Sequence, residues 1–191
     1  MDMRKLTWNF FLFIALIGLF TADPGFAKFR EKRGNYRISL EGKSWSLLFK
    51  IPGFHIDVEN SRPDGSGAGM RAIHDDTGVL VSVFLELSPE FHSAEECRDH
   101  YWARTVKGTV RRTNIEFRRT ETMAVVESMV KDFQGTPVMQ KNINAYLFRD
   151  GVCIDVQVAK VFYEPDEEGL LTAILDTVRF SRTRTPDDFC Q

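Results

Sequence analysis

A series of strand-like segments in the second half of the chain constrains the fold more than any other feature. The turn formers Asp150 and Gly151 separate the last two segments. An Asp-Gly pair between two such runs predicts a tight hairpin, so these two strands are expected to be antiparallel neighbours. The segments of the series are 114–119, 122–131, 138–148 and 152–162.

A second hairpin is predicted earlier in the chain. Segments 70–75 and 79–87 flank the turn sequence Asp76-Thr77-Gly78. In the second arm, valines and leucines at alternate positions share one face of the strand, while Leu80 and Phe84 lie on the other. Apolar residues on both faces indicate that both sides of this strand are covered. A strand is also predicted over 44–51 and a last short one over 179–181, whereas the glycine-rich stretch 60–69 favours a loop.

Only two helices interrupt the strands. Ser93 followed by Glu96 forms a capping box, which predicts a helix from this point to about Gly108. A second helix is predicted after Pro165, with a buried apolar stripe. Many antiparallel strands with two helices predict an α+β domain, in which an antiparallel sheet is flanked by helices as an α/β/α sandwich. The stripe consists of Leu170, Leu171, Ile174, Leu175 and Val178.

The N-terminus has the pattern of a secretory signal peptide. Arg4 and Lys5 precede the apolar run 10–20, and small residues lead to a predicted cut near Ala27/Lys28. A helix that spans a bilayer needs about 20 apolar residues, so this run favours export over a stable membrane span after cleavage. The expected location is periplasmic or secreted, and a retained anchor is the alternative.

The part after the predicted cut has the length of one domain. The full chain has 43% hydrophobic residues and a formal net charge of −2, an ordinary composition with no excess of basic residues that would favour nucleic acid as a partner. The predicted organisation is a signal peptide over 1–27, a loose lead-in over 28–43 in which 36–40 could form a short strand, one α+β domain over 44–181 and a tail over 182–191.

Three cysteines follow the signal: Cys97, Cys153 and Cys190. Exported proteins keep disulfides, and an odd number leaves one thiol over. Because Cys153 lies inside a predicted strand and Cys190 lies on a tail that can reach a surface, a Cys97–Cys190 bond is the preferred prediction. Three reduced, partly buried thiols are the alternative.

Two segments resemble the PsbP/Mog-like superfamily, which includes exported bacterial proteins of the DcrB kind. The opening Ser46–Phe54 resembles that group's first strand running into a Pro-Gly turn, and the close Leu171–Phe180 resembles its terminal helix and last strand. The order of elements between Ser44 and Ser181 also fits. The resemblance implies an antiparallel sheet between helices and a non-enzymatic role as an accessory, assembly or binding factor. The lipid-anchored start of DcrB-like proteins is not found here.

Four arginines form the strongest charge cluster. Arg111 and Arg112 precede the segment 113–117, and Arg118 and Arg119 follow it. On an extended sheet edge they would bind an acidic partner, which we expect to be another exported protein or an anionic envelope component. The alternative is a solvated edge whose charges prevent edge-to-edge aggregation.

Two groups of residues are candidates for chemistry. His74 beside Asp75 could act as an acid–base pair, although adjacent strand residues point to opposite faces. His92, Glu96 and His100 recur at steps of four, a spacing that could hold zinc on one helical face. Glu96 is also the predicted capping residue, which favours a solvated pair with His100 instead.

No known catalytic motif is found in the sequence, and no cofactor is predicted. The preferred prediction is therefore an exported, non-catalytic accessory or binding protein. One alternative is a small extracytoplasmic hydrolase or metal-dependent enzyme that uses His74/Asp75 or His92/His100. Another is a carrier that holds a small apolar ligand between sheet and helix, near Tyr101 and Trp102.

Overall fold

Eleven strands make up most of the structure, a computed structural model that describes residues 27–108 and 110–182. All the strand pairs are antiparallel. The strands are β1 (Ala27–Lys32), β2 (Asn35–Leu40), β3 (Trp45–Lys50), β4 (His55–Ser61), β5 (Gly67–His74), β6 (Val79–Leu87), β7 (Arg112–Arg119), β8 (Ala124–Phe133), β9 (Thr136–Arg149), β10 (Val152–Val161) and β11 (Arg179–Arg182). They form a four-stranded sheet of order β1-β2-β3-β11 and a seven-stranded sheet of order β4-β5-β6-β10-β9-β8-β7.

Two α-helices accompany the sheets: α1 (Ala94–Thr105) and α2 (Glu168–Leu175), the latter preceded by a 3-10 turn over Pro165–Glu167. The predicted start of α1 is confirmed, since the Glu96 backbone N–H donates to Ser93 Oγ at 3.1 Å. The Glu96 carboxylate accepts from the His92 backbone N–H at 2.7 Å, one residue before the predicted partner. The Glu96 N–H is one of the groups that the first helical turn leaves without partners, and the contact with His92 holds the residue before the cap.

The main core lies between the two sheets. Ile38 and Leu47 from the small sheet and Val83 and Ile143 from the large sheet are fully buried there, and Leu171 of α2 joins them. In β2 burial alternates along the strand, whereas β6 and β9 have runs of consecutive buried residues because both faces of the large sheet are covered there. The predicted antiparallel sheet is confirmed. The α/β/α sandwich is not confirmed, because the core-facing side of the large sheet is covered mainly by the four-stranded sheet and not by helices.

Residues 28–43 are not a loose lead-in, which corrects the expectation from their charged composition. They form the hairpin β1–β2, which pairs with β3 and extends the small sheet. The turn residues Arg33 and Gly34 both have positive φ, of 54° and 74°. Two consecutive residues of this kind match the twist of the strands in a two-residue hairpin. The same combination occurs at Gln134-Gly135 and at the predicted Asp150-Gly151 turn.

A disulfide joins α1 to the opposite face of the large sheet. Cys97 is bonded to Cys153 of β10, with their Cα atoms 5.7 Å apart. The predicted Cys97–Cys190 pair is therefore wrong, and Cys190 lies outside the described residues. Because Cys153 faces the helix rather than the main core, its position inside a strand does not hinder the bond. Around it, Trp102 and Tyr146 form a second buried cluster.

The predicted loop over 60–69 is shorter than expected, because β4 continues to Ser61 and β5 begins at Gly67. Gly67 is buried, and a Cβ atom built on it would lie 2.9 Å from the carbonyl oxygen of Leu85 in β6. Such a distance is shorter than side chains tolerate, so the close approach of the two backbones requires glycine.

Substitution of Gly67 with alanine is expected to lower the free energy of unfolding by about 2 kcal/mol, because the added methyl group displaces strand β5 or β6. Gly169 in α2 is a matched control, since a Cβ there meets nothing within 4 Å. Gly169→Ala is expected to raise the stability by about 0.5–1 kcal/mol through helix propensity. Urea unfolding of both variants tests the pair, and equal effects of the two would contradict it.

The N-terminal segment 1–26 and the residues beyond Arg182 lie outside the described residues, so the signal peptide and the tail stay predictions. Within residues 27–108 and 110–182, neither helix has both the length and the apolar character needed to cross a bilayer.

Candidate functional site

The face of the large sheet that carries α1 also carries a row of buried polar side chains. Ser82, Gln157 and Asn144 are direct cross-strand partners on the neighbouring strands β6, β10 and β9. Ser82 and Asn144 are 1% and 6% exposed. Adjacent strands lie about 4.8 Å apart, so the three side chains stand side by side. A buried polar row of this kind needs hydrogen-bond partners to be stable.

A second polar group lies two residues further along the same face. Asn142 of β9 is the cross-strand partner of Ser128 in β8, and Ser128 Oγ accepts a hydrogen bond from Arg112 Nη1 at 3.2 Å. The Arg112 guanidinium also lies 5.7 Å from the ring centroid of Trp102 in α1. Trp102 and Ser128 therefore orient Arg112 toward the polar row.

Several of these groups keep unused hydrogen-bonding capacity. Within the part of the chain that the structure describes, Ser82 Oγ, Arg112 Nε and Asn142 Nδ2 are buried without a hydrogen-bond partner. A buried polar atom without a partner costs about 1–3 kcal/mol, and folded proteins contain few of them. Among the described residues, Tyr146 Oη and Asp155 Oδ1 on the same face also lack a partner. Such a concentration of buried polar atoms without partners indicates a place where the fold gives up stability for recognition.

These residues line one cavity of about 220 Å³ next to the C-terminal end of α1. Its polar lining includes Ser82, Arg112, Asn142, Asn144 and Gln157, and its apolar lining includes Leu80 and Val130. Drug-sized pockets begin at about 300 Å³, so this cavity suits a smaller molecule. A few convergent polar groups beside apolar walls are the usual composition of a ligand site.

Asp155 lies behind the cavity in β10, next to Gln157 along the strand face. Gln157 Nε2 donates to Asp155 Oδ2 at 2.6 Å. Burial raises the pKa of Asp155 to about 6, and the interactions with Gln157 and Asn144 lower it only in part. Burial and the charge of Asp155 also raise the pKa of its cross-strand partner Tyr146. Asp155 fixes the Gln157 amide, which in turn forms part of the wall.

The structure does not bring the four predicted arginines into one exposed patch. Arg118 Nε donates to Glu127 Oε1 at 2.7 Å, and Arg119 lies 3.0 Å from a Glu95 oxygen of α1. Arg112 faces the cavity instead, and Arg111 is exposed. Successive strand residues point to opposite faces, and a bulge between Thr113 and Glu116 changes the register of β7. The acidic macromolecular partner stays a prediction.

The candidate catalytic and metal residues are also separated. The His74 ring packs against Phe54, with centroids 5.1 Å apart, while Asp75 pairs with His55 at 3.3 Å. No group of three or more His, Cys, Asp or Glu side chains within the described residues is arranged to hold a metal ion.

The predicted zinc set His92, Glu96 and His100 is accordingly not brought together as a site. The Glu96 carboxylate binds the backbone of His92, as described for the start of α1. His100 packs between the rings of Phe91 and Tyr101, at centroid distances of 5.0 and 5.1 Å. Its contacts are those of a helix residue packed against aromatic neighbours.

The residues of the cavity were missed at the sequence level, apart from Arg112, which was expected in an exposed cluster. The available signal was a polar residue at every second position: Asn142 and Asn144 in one strand, Asp155 and Gln157 in the next. That alternation indicates that one face of each strand is polar. A strand whose polar face is exposed to water shows the same alternation, so the pattern does not reveal that the face is buried. The predicted apolar carrier site near Tyr101 and Trp102 is also not formed, since both pack in the α1 interface, where Tyr101 Oη donates to Glu86.

The sequence matches no protein-family model, and no curated protein is similar to it. Among solved structures, the chain is similar to the solution structure of cyanobacterial PsbP (CyanoP) from Synechocystis sp. PCC 6803. The identity is 11%, the TM-score is 0.45, and the match covers 87% of this chain and 99% of the other. This similarity gives no information on ligand, partner or activity.

Proposed function

We propose that this protein is an exported, non-catalytic binding protein that holds a small polar molecule in the cavity beside the end of α1. The observation that carries the proposal is the set of buried polar groups with unused hydrogen-bonding capacity, Ser82, Arg112 and Asn142, on the wall of one cavity. A ligand with matching acceptors would remove the cost of leaving these groups without partners.

A binding role is favoured over an enzymatic one because the cavity wall has no nucleophile next to a base. Ser82 is a hydroxyl residue of that wall, and its cross-strand partners are Arg71 and Gln157 rather than a histidine. Export is supported by the N-terminal pattern and by a buried disulfide, which persists in oxidising compartments.

A screen of small molecules by heteronuclear NMR tests the proposal on the purified protein. The panel contains butyrate, benzoate, butyramide, benzamide, glycerol and glucose, each at millimolar concentration. We expect at least one compound to shift the amide resonances of Ser82, Asn142, Asn144 and Gln157 together. If every compound leaves these resonances unchanged, or if the shifts occur around Arg118 on the other face of the sheet, the proposal is wrong.

A substitution assigns the binding to the cavity. Asn142→Leu keeps the size of the side chain and removes its amide, so we expect the affinity of the bound compound to fall about tenfold, as for the loss of one good hydrogen bond. The matched control is Asn35→Leu, an exposed position in β2 of the small sheet. Equal affinities of the two variants would place the binding elsewhere.

A further inference from the structure

Arg112 is a partly buried cation without a carboxylate partner. The other two arginines of β7, Arg118 and Arg119, both form ion pairs, with Glu127 and with Glu95. Within residues 27–108 and 110–182, the polar contact made by Arg112 is the hydrogen bond to the neutral Ser128 hydroxyl, and its Nε has no partner. Burial lowers the pKa of Arg112, but a guanidinium starts so high that it stays charged near neutral pH.

A buried cation without a counter-ion lowers the stability of the fold, so the groups around Arg112 indicate which kind of ligand it could bind. The residues that line the cavity include no aspartate or glutamate. Asp155 lies on the same face of β10 as Gln157 but does not line the cavity, and one of its oxygens is held by Gln157. Asn142 Nδ2 and Ser82 Oγ add two further donors on the same wall. The wall therefore offers one positive charge and several donors, which match an oxyanion.

Part of the cavity lining near Arg112 is apolar. Val130 of β8 is the cross-strand partner of Arg112, and Phe133 of the same strand also lines the cavity. A volume of about 220 Å³ leaves room for a short hydrocarbon group in addition to an oxyanion. Free inorganic phosphate would use the donors and leave this apolar surface without contacts, whereas a small organic acid would use both.

We infer that the cavity binds a small organic monocarboxylate, with its carboxylate against Arg112 and Asn142 and its hydrocarbon group against Val130 and Phe133. The inference rests on the proposed binding function and names the class of its ligand. Arg112 supplies charge-assisted hydrogen bonds, and the apolar wall selects molecules that carry more than the oxyanion alone.

Pairs of molecules with the same shape and different charge test whether the ligand is a carboxylate. We expect butyrate and benzoate to bind at least tenfold more tightly than butyramide and benzamide, measured by calorimetry and by the cavity amide shifts at pH 7.5. Inorganic phosphate is expected to bind more weakly than butyrate. Amides or phosphate that bind as tightly as the carboxylates would overturn the inference. Glycerol or glucose bound in place of the carboxylates would also overturn it, while the proposed binding function would stand.

Variants of Arg112 test whether its charge causes the preference for carboxylates over amides. Arg112→Gln is expected to weaken butyrate at least tenfold and to leave the affinity for butyramide within a factor of two. Arg112→Lys keeps the charge, so it is expected to keep the preference for the acid even if Arg112→Gln fails to fold. Arg118→Gln, on the other face, is the control and is expected to change neither affinity. If Arg112→Lys binds acid and amide equally, or if Arg118→Gln weakens butyrate as much, the inference is wrong.

Discussion

Replacement of both Cys97 and Cys153 with alanine is expected to lower the free energy of unfolding by about 4 kcal/mol. The bond closes a loop across a sequence separation of 56 residues, and the loss of chain entropy in the unfolded state grows with the length of that loop. Because both cysteines are fully buried between α1 and the sheet, their loss also leaves space in the cluster around Trp102. Urea unfolding under non-reducing conditions measures the change.

A third cysteine variant distinguishes the observed bond from the pairing that the sequence favoured. With Cys97 bonded to Cys153, Cys190→Ala is expected to change the stability by less than about 0.5 kcal/mol. Peptide mapping of the unreduced protein should recover a peptide that joins 97 and 153. A joined peptide containing 97 and 190, together with a large loss of stability in Cys190→Ala, would contradict the bond described above.

Substitution of Asp155 with asparagine is expected to stabilise the protein by about 3 kcal/mol at pH 8 and to have little effect at pH 3. The pKa of Asp155 is raised from 3.8 to about 6 by burial, so between these two pH values the folded state binds more protons than the unfolded state. Stability therefore falls as the pH rises from about 4 to about 6, by about 1.4 kcal/mol for each pKa unit of the shift. Asparagine mimics the uncharged form and can keep the hydrogen bond to Gln157.

Urea unfolding of the wild type and the variant across pH 3 to 8 measures this effect. Asp176→Asn removes the same charge at an exposed position after α2 and serves as the control. Two stability curves that run parallel from pH 3 to 8 would show that Asp155 does not titrate in the folded protein as described. A destabilised variant at pH 8 would show that the carboxylate is needed charged.

Local signals in the sequence predicted much of the fold. Asp150-Gly151 determines the β9–β10 hairpin through two residues that accept positive φ, and Ser93 with Glu96 determines the start of α1. The Arg33-Gly34 turn carries the same kind of signal, since glycine is its second residue. It was overlooked because the charged residues around it suggested a solvated lead-in. The edge of a small sheet tolerates such residues, since one face of each strand is in water.

These local signals could not predict the site, because its residues are brought together by the register between strands that are distant in sequence. Ser82 and Gln157 are separated by about half of the domain in sequence, and they become neighbours through the pairing of β6 with β10. Arg112 needs the β7–β8 pairing and the place of Trp102 to reach the same cavity. A single sequence shows that these residues are polar. It does not show that they are buried, and burial is the property that makes them candidate ligand-binding groups.

The two faces of the large sheet have different roles: one packs into the main core and the other lines the cavity. Along β9, Ile143 and Ala145 pack into the main core while Asn142 and Asn144 line the cavity. Because neighbours in a strand point in opposite directions, the cavity side chains can be exchanged without contact to the core side chains between them. Mutational drift or engineering could therefore give this scaffold a new ligand by changing every second residue in three strands, at little cost to its folding.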